Sequence, residues 1–239
     1  MFSEENRTEK FDLIAFLGFF AWLFLGASIF SMIFIFGAAL VTNQTFEEYV
    51  NGMESFAEYN YIFFVISHTI GSVIFALLYK KYIREKLIDF KSKWIKYLII
   101  IIGGFILLYV SNMLLTNIYD LLGYGGKTSQ NQEQIVKALQ GSTKTFVIIY
   151  TVILAPIFEE ILFRKLLFTA LKKCTKFPIW AIVLIVSTLF AFMHVSDLES
   201  LVFFPQYFVL AVIITTSYAI SKENLFVSTG MHFLNNLVA

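Results

Sequence analysis

Charged residues are scarce in this chain of 239 residues. Asp, Glu, Lys and Arg make up 15% of it and 58% of the residues are hydrophobic, whereas a soluble globular domain carries about 25% charged residues. The net charge of +1 gives no electrostatic basis for binding nucleic acid, and we predict no such partner. The single cysteine, Cys174, excludes an intrachain disulfide and a cysteine-based structural zinc site.

Long apolar runs take the place of the missing charges. A bilayer core of about 30 Å needs about 20 apolar residues of helix. By that rule the chain is an all-α, polytopic transmembrane helical bundle with about seven spans, in a single membrane-embedded domain over residues 1–239. The predicted spans are Leu13–Val41, Tyr61–Tyr79, Tyr97–Tyr119, Thr145–Leu171, Pro178–Val195, Leu201–Ile220 and Leu225–Ala239.

Lysine and arginine are distributed unevenly between the connections. The connection at residues 43–60 has none, whereas the one at residues 80–96 has Lys80, Lys81, Arg84, Lys86, Lys91, Lys93 and Lys96. Basic loops stay in the cytoplasm, and a basic run beside a span contacts anionic lipid. We therefore predict a multi-pass protein of the cell membrane that contacts membrane lipids and has a cytoplasmic N-terminus.

The fourth predicted span contains Glu159, Glu160 and Arg164. Charges at bilayer depth cost several kcal/mol each and persist where they pair or serve a function. Glu160 and Arg164 stand four residues apart with the acid first, which is the favoured order for an ion pair on one helix face. Glu159 lies about 100° further round the helix and is free to face another partner. Pro156 predicts a kink nearby, and irregular backbone at depth usually lines a cavity.

All three histidines fall within predicted spans. His194 ends the fifth span, and His232 lies in the seventh, four residues before Asn236. In an antiparallel hairpin of spans four and five, Glu159 and His194 differ in height by about 6 Å. His232 reaches the same level only if the turn at residues 221–224 lies deeper in the membrane. We interpret the third histidine, in the second span, as a buried structural residue.

A carboxylate, two imidazoles and an amide in a dry pocket suit hydrolysis. Glu159 and His194 can polarise a water, while His232 and Asn236 can donate to the oxyanion that forms. Phe190, four residues before His194, can orient the imidazole. Alternatively Glu159, His194 and His232 hold a divalent metal such as zinc. The residues by themselves do not separate these two mechanisms.

Three short motifs carry a family resemblance. EEILFR at Glu159–Arg164 fits EExxxR, FAFMH at Phe190–His194 fits FxxxH, and HFLNN at His232–Asn236 fits HxxxN. In this order they resemble the CAAX protease and bacteriocin-processing family of intramembrane proteases, also called the Abi family. The resemblance extends from about residue 145 to residue 239, which we predict to be the catalytic core.

The resemblance implies an intramembrane endopeptidase, and it assigns roles to the motif residues. Glu159 would activate water together with His194. His232 and Asn236 would serve the oxyanion or orient the substrate. Glu160 and Arg164 would be mainly architectural. The family is often named as metalloproteases, and a metal-free glutamate mechanism is also argued for it. We favour the metal-free mechanism.

A compact chain rich in Ile, Phe and Lys is typical of a bacterial member. Its substrate would be a bacteriocin leader, a pheromone precursor or a membrane regulator, reached through a pocket open toward the cytoplasmic leaflet or laterally into lipid. The alternative is a non-catalytic membrane scaffold, immunity or regulatory protein that binds a peptide or sensor partner. A proton-coupled transporter would also use buried Glu and His, but the inverted repeats typical of transporters are not evident.

Overall fold

The structure is a computed structural model that describes residues 4–42, 45, 56–195 and 197–238. These residues form helices and connections with no strand among them, which confirms the predicted all-α class. Most of the 43–60 connection, and Ala239, lie outside the described residues. The helices are α1 (Glu4–Thr42), α2 (Phe56–Leu78), α3 (Lys80–Ser92), α4 (Trp94–Leu121), α5 (Gln130–Ala138), α6 (Lys144–Cys174), α7 (Ile179–Met193), α8 (Ser200–Ile220) and α9 (Leu225–Val238).

Five helices in the described part of the chain are long and apolar enough to cross a membrane. They are α1, α2, α4, α6 and α8, and they match five of the predicted spans in position. The chain is therefore a multi-pass membrane protein. The other two predicted spans correspond to α7 and α9, which have 15 and 14 residues. Both fall short of the about 20 residues that a full crossing needs, so the structure places a helix at each of the seven predicted spans, and five of these helices are long enough for a full crossing.

Helix α6 is the central helix of the bundle. Its residues from Ile161 to Ala170 are all buried, as expected for a helix surrounded by others. It packs against α1, α2, α7 and α9, so every face of its second half meets another helix. The charged residues of the fourth predicted span therefore lie inside protein and not against lipid.

Two stretches of α6 are wound as π-helix. They are Ile149–Leu154 and Glu160–Phe168, and they flank the short α-helical stretch Ala155–Glu159. Pro156 lies in that stretch, so the disruption predicted from Pro156 takes the form of widened turns on both sides. Widened turns of this type are frequent at functional sites.

Glycines allow two close helix contacts beside the centre of the bundle. A Cβ atom at Gly71 of α2 would lie 2.5 Å from Cε2 of Phe158 in α6. A Cβ atom at Gly104 of α4 would lie 2.1 Å from Cε of Met231 in α9. A larger residue at either position would displace a neighbour of the residues that carry the motifs.

Polar contacts join the elements at the two ends of the bundle. At the end that we call the basic end (α3 with residues 172–178 and 221–224), Nζ of Lys86 donates to the carbonyl of Lys222 at 2.5 Å. Lys173 also pairs there with Asp12 of α1 at 2.8 Å. At the opposite end, which we call the α5 end (α5 with residues 195 and 197–200), the backbone N–H of Gln130 donates to Oγ of Ser200 at 3.2 Å.

Candidate active site

Glu159 is the meeting point of the three motifs. Its side chain is 13% exposed, and its Oε1 lies 3.9 Å from Nε2 of His194 while its Oε2 lies 3.7 Å from Nε2 of His232. The structure thus brings together the carboxylate and both imidazoles that the sequence singled out. These separations exceed a direct hydrogen bond, and polar groups at such distances are commonly bridged by water.

The ring of His194 is held on both faces. Its Nδ1 lies 2.9 Å from the carbonyl of Phe190, and because a carbonyl only accepts, Nδ1 carries the proton. In the neutral ring Nε2 is then the acceptor nitrogen, and it faces Glu159. The ring stacks on Phe190 with centroids 4.5 Å apart and on Tyr207 of α8 with centroids 4.8 Å apart.

His232 is fixed through its other nitrogen. Its Nδ1 lies 2.9 Å from Oε1 of Glu160, and the same oxygen lies 3.0 Å from Nη1 of Arg164. All three side chains are buried. Glu160 is thus more than the partner of Arg164, because it also holds the imidazole that turns Nε2 toward Glu159. An outer partner of this kind fixes both the tautomer and the ring orientation.

Arg164 is a fully buried guanidinium. Its Cζ lies 4.7 Å from the centre of the Phe190 ring, within range of a cation–π contact. None of its three nitrogens has a hydrogen-bond partner of good geometry among the described residues, and Nη1 meets Glu160 as an ion pair only. Its positive charge therefore depends on Glu160 and on the Phe190 ring for stabilisation.

Asn236 contacts the irregular backbone of α6. Its Nδ2 donates to the carbonyl of Thr151 at 2.9 Å, inside the first π-helical stretch. The N–H of Ala155 bonds the carbonyl of Tyr150, and Pro156, next in the chain, has no N–H. The Thr151 carbonyl therefore lacks a helical donor, and Asn236 supplies one. The second N–H of this amide is left for another acceptor.

A cavity of 630 Å³ contains Glu159, His194, His232 and Asn236. Its walls come from α4 to α9. Among the described residues that line it, Glu159 is the single Asp, Glu, Lys or Arg. Asn and Gln are frequent in the lining. The lining amides are Asn112, Asn131, Gln132, Gln206, Asn235 and Asn236.

The cavity reaches the α5 end of the bundle. Residues of α5 line it, among them Gln132 and Ile135, whereas no residue of α3 or of the 221–224 turn does. The sequence led us to expect that the basic loops are cytoplasmic and that the pocket opens toward the cytoplasmic leaflet. The position of the cavity means that these two expectations conflict with each other. The other expected opening, laterally into lipid, is compatible with either orientation of the bundle, and the orientation itself stays a prediction.

The described residues include no group of three or more His, Cys, Asp or Glu side chains arranged to hold a metal ion. The Nε2 atoms of His194 and His232 and the carboxylate of Glu159 have the donor chemistry of a zinc site. Ligands of a tetrahedral zinc lie about 3.3 Å apart, and the separations of 3.7 and 3.9 Å here are wider. The side chains as placed do not fit a zinc ion, and we derive no step through one.

Sequence reasoning missed Tyr207. It lines the cavity, stacks on His194, and its hydroxyl lies 2.5 Å from Oγ of Ser129, the residue before α5. No motif spacing pointed to it, since its contact with His194 arises only when α8 packs on α7. His68, interpreted as a structural histidine, is buried and packs against Phe158 with ring centroids 4.7 Å apart.

Residues 141–238 match the family described as type II CAAX prenyl endopeptidase Rce1-like. The match covers less than half of the chain but includes all three motifs. The resemblance inferred from those motifs is confirmed over these residues. Neither the curated proteins nor the solved structures gave a match.

Proposed function

From the family match of residues 141–238, we propose that the chain is an intramembrane endopeptidase that hydrolyses a peptide bond in a small membrane-associated peptide or protein. The observation that carries the proposal is the Glu159 carboxylate between two imidazole nitrogens in the wall of a cavity of 630 Å³. The catalytic core is residues 145–239, and α4 and α5 complete the cavity wall.

The nucleophile in this proposal is a water molecule between Glu159 and His194. The carboxylate of Glu159 takes a proton from this water as its oxygen attacks the substrate carbonyl carbon. The unprotonated Nε2 of His194 accepts the second hydrogen bond of the water and so aligns it. At a separation of 3.9 Å between the two atoms, a water in the adjoining cavity can lie within hydrogen-bond distance of both.

The negative charge that develops on the substrate carbonyl oxygen needs hydrogen-bond donors. The second N–H of Asn236 is one such donor, because its first N–H is bound to Thr151. His232 is another when it enters the reaction as an imidazolium: its Nε2 proton comes from solvent before the water attacks and stays on the ring throughout, and Glu160 stabilises the charged ring through Nδ1. Glu159 then passes its proton to the departing amine as the C–N bond breaks, which restores the carboxylate.

Glu160 and Arg164 keep their architectural role in this scheme. The pair anchors His232 through a carboxylate that is itself neutralised. Candidate substrates are a bacteriocin leader, a pheromone precursor or a membrane regulator of a bacterial cell membrane.

The test compares the wild-type protein with Glu159→Gln. The replacement keeps the size of the side chain and removes the base, so we expect turnover to fall by at least about 100-fold while the protein stays folded. The measurement is mass spectrometry of membrane peptides from cells that express either protein, with detergent-solubilised yield as the control for folding. A folded Glu159→Gln protein that keeps full biological activity would support the non-catalytic scaffold or regulatory alternative.

Chelation separates the two mechanisms left open by the sequence. Purified protein dialysed against EDTA should retain its Glu159-dependent cleavage if water is activated by side chains alone. The contrary result is that cleavage is lost on dialysis and returns when zinc is added but not when buffer alone is added. This result would assign the chemistry to a metal and contradict the metal-free mechanism.

A further inference from the structure

The α5 end of the bundle is built around the outer part of the cavity. Helix α5 forms a wall there, and Ser129, just before it, binds Tyr207 at 2.5 Å. Tyr207 stacks in turn on His194. The space beside Glu159 is therefore continuous with the region under α5, where α4 ends and α8 begins. Tyr119 of α4 and Phe203 of α8 also meet at this end, with ring centroids 5.2 Å apart.

The basic end is closed by contacts between its own elements. The hydroxyl of Tyr82 donates to the carbonyl of Glu223 at 3.1 Å, and Nδ2 of Asn224 donates to the carbonyl of Lys86 at 3.0 Å. Lys172 pairs with Glu223 across the same surface. These contacts join α3, the end of α6 and the 221–224 turn, and none of these five residues lines the cavity.

The two ends differ strongly in charge. The connections of the basic end carry Lys80, Lys81, Arg84, Lys86, Lys91, Lys93, Lys96, Lys172, Lys173, Lys176 and Lys222. Those of the α5 end carry Lys127, Lys137 and Lys144 beside Asp120, Glu133, Asp197 and Glu199. An excess of Lys and Arg in short loops marks the cytoplasmic side. The α5 end, and with it the open part of the cavity, therefore faces away from the cytoplasm.

The cavity wall also limits the charge of what can enter. The described lining offers no Lys or Arg to balance an incoming carboxylate, and Glu159 would repel one at close range. An unpaired buried charge costs several kcal/mol. Amide side chains such as Asn112 and Gln206, which bond each other at 2.8 Å, match the hydrogen-bonding groups of a peptide backbone instead.

We propose that the cavity is entered from the extracytoplasmic side and that its substrate is an internal segment of a membrane-anchored peptide without carboxylates, not a free C-terminus. The proposal rests on the proposed function for its substrate class, but its sidedness stands on topology and charge alone. It narrows the candidate bonds to those near the outer boundary of the membrane.

Sidedness is tested by labelling single cysteines with a membrane-impermeant maleimide. Cys174, exposed at the basic end, is the natural cytoplasmic reporter. The test variant is Val136→Cys in a Cys174→Ser background, because Val136 lines the cavity and is 47% exposed. Leu87→Cys in the same background, on α3 and 38% exposed, is the matched control at the other end.

We expect the Val136→Cys protein to be labelled fully in intact cells. Cys174 of the natural chain and the Leu87→Cys protein should be labelled only after the cells are permeabilised. The opposite pattern, with Cys174 labelled in intact cells and Val136→Cys protected until permeabilisation, would overturn the proposal. This outcome does not depend on whether the protein cleaves anything.

The substrate class is tested by the positions of the Glu159-dependent cleavage products. We expect their new termini to map to the extracytoplasmic half of membrane segments, with no Asp or Glu beside the cleaved bond. Products that depend on Glu159 but map to cytoplasmic termini or to sites beside Asp or Glu would overturn this inference and leave the proposed function standing. An absence of Glu159-dependent products would instead refute the proposed function, while the labelling result would still decide the sidedness.

Discussion

At the scale of single residues, the neighbouring acids Glu159 and Glu160 have opposite environments. Glu159 faces the cavity, with its side chain 13% exposed, whereas Glu160 is fully buried between Arg164 and His232. One carboxylate is placed to act on a ligand and the other to hold protein groups. Their helical spacing of about 100° separates the two roles.

The glutamine variants of these two acids should therefore behave differently. Glu160→Gln leaves the buried Arg164 without its counter-ion, and removing one partner of a buried pair costs about 3–5 kcal/mol. We expect a marked loss of folded protein in detergent and a lower melting temperature. Glu159→Gln is the matched control and should melt like the wild type. Equal melting temperatures for the two variants would show that Glu160 is not a structural counter-ion.

The sequence motifs predicted which residues form the site better than they predicted the hydrogen bonds that those residues make. The motif spacing placed Glu159, His194 and His232 together, because charged and imidazole groups at depth must share a protected space. It did not predict that Asn236 would bind Thr151, since that carbonyl lacks its donor only after the π-helical turn forms beside Pro156. The catalytic roles of these residues stay predictions until the variants are measured.

At the scale of helices, the closeness of α2 to α6 depends on Gly71. Phe158, which the added Cβ would meet at 2.5 Å, is fully buried and directly precedes Glu159. Its ring also packs against Phe19 of α1, with centroids 5.9 Å apart. The ring is enclosed by these neighbours. The position of α6 therefore depends on the lack of a side chain at Gly71 in α2.

Gly71→Ala should destabilise the bundle by about 1–3 kcal/mol through overpacking. Gly18→Ala is the control, because a Cβ atom there meets nothing within 4 Å and the gain in helix propensity is the same. The measurement is thermal unfolding of both proteins in one detergent. If Gly71→Ala melts at or above the temperature of Gly18→Ala, the contact between α2 and α6 is looser than described.

The lengths of apolar runs predicted most of the helices. Runs as long as Leu13–Val41 and Tyr97–Tyr119 have no alternative in a bilayer but to span it as helix. The bounds of the two shorter helices were also close to those predicted, since Leu225–Ala239 was predicted for α9 (Leu225–Val238) and Pro178–Val195 for α7 (Ile179–Met193). The π-helical stretches of α6 were beyond sequence reasoning, since Pro156 indicates a disruption but not its geometry.

At the scale of the whole molecule, Asp89 ties the basic end together. It is the last acidic residue of α3, and its carboxylate accepts hydrogen bonds from Lys93, Tyr97 and Asn224. These donors belong to the start of α4 and to the turn before α9. Although partial burial acts to raise it, the pKa of Asp89 is lowered to about 2 by these hydrogen bonds.

Asp89→Asn should lower the free energy of unfolding by about 2 kcal/mol at neutral pH, the scale of hydrogen bonds to a charged group. The folded-state pKa lies below the ordinary value of 3.8, so this stabilisation is complete above that value and is lost as the pH falls toward 2. The difference between wild type and variant should therefore shrink from about pH 4 downward. Denaturant unfolding in detergent at several pH values measures it, with exposed Glu85→Gln on the same helix as the control. A difference that stays constant down to pH 2 would exclude the ionised carboxylate as its source.

Because α6 contains widened turns, the direction in which Glu159 points depends on the number of residues in those turns as well as on their types. Each π-helical stretch accommodates extra backbone without lengthening the helix in proportion. If one residue were removed between Ile149 and Leu154, the turn would return to α geometry, and everything before the deletion would rotate by about 100° relative to Glu159. The three motifs would remain intact in the sequence of such a variant. Glu159 would nevertheless lose its alignment with Thr151 and with the part of the cavity wall that the start of α6 forms.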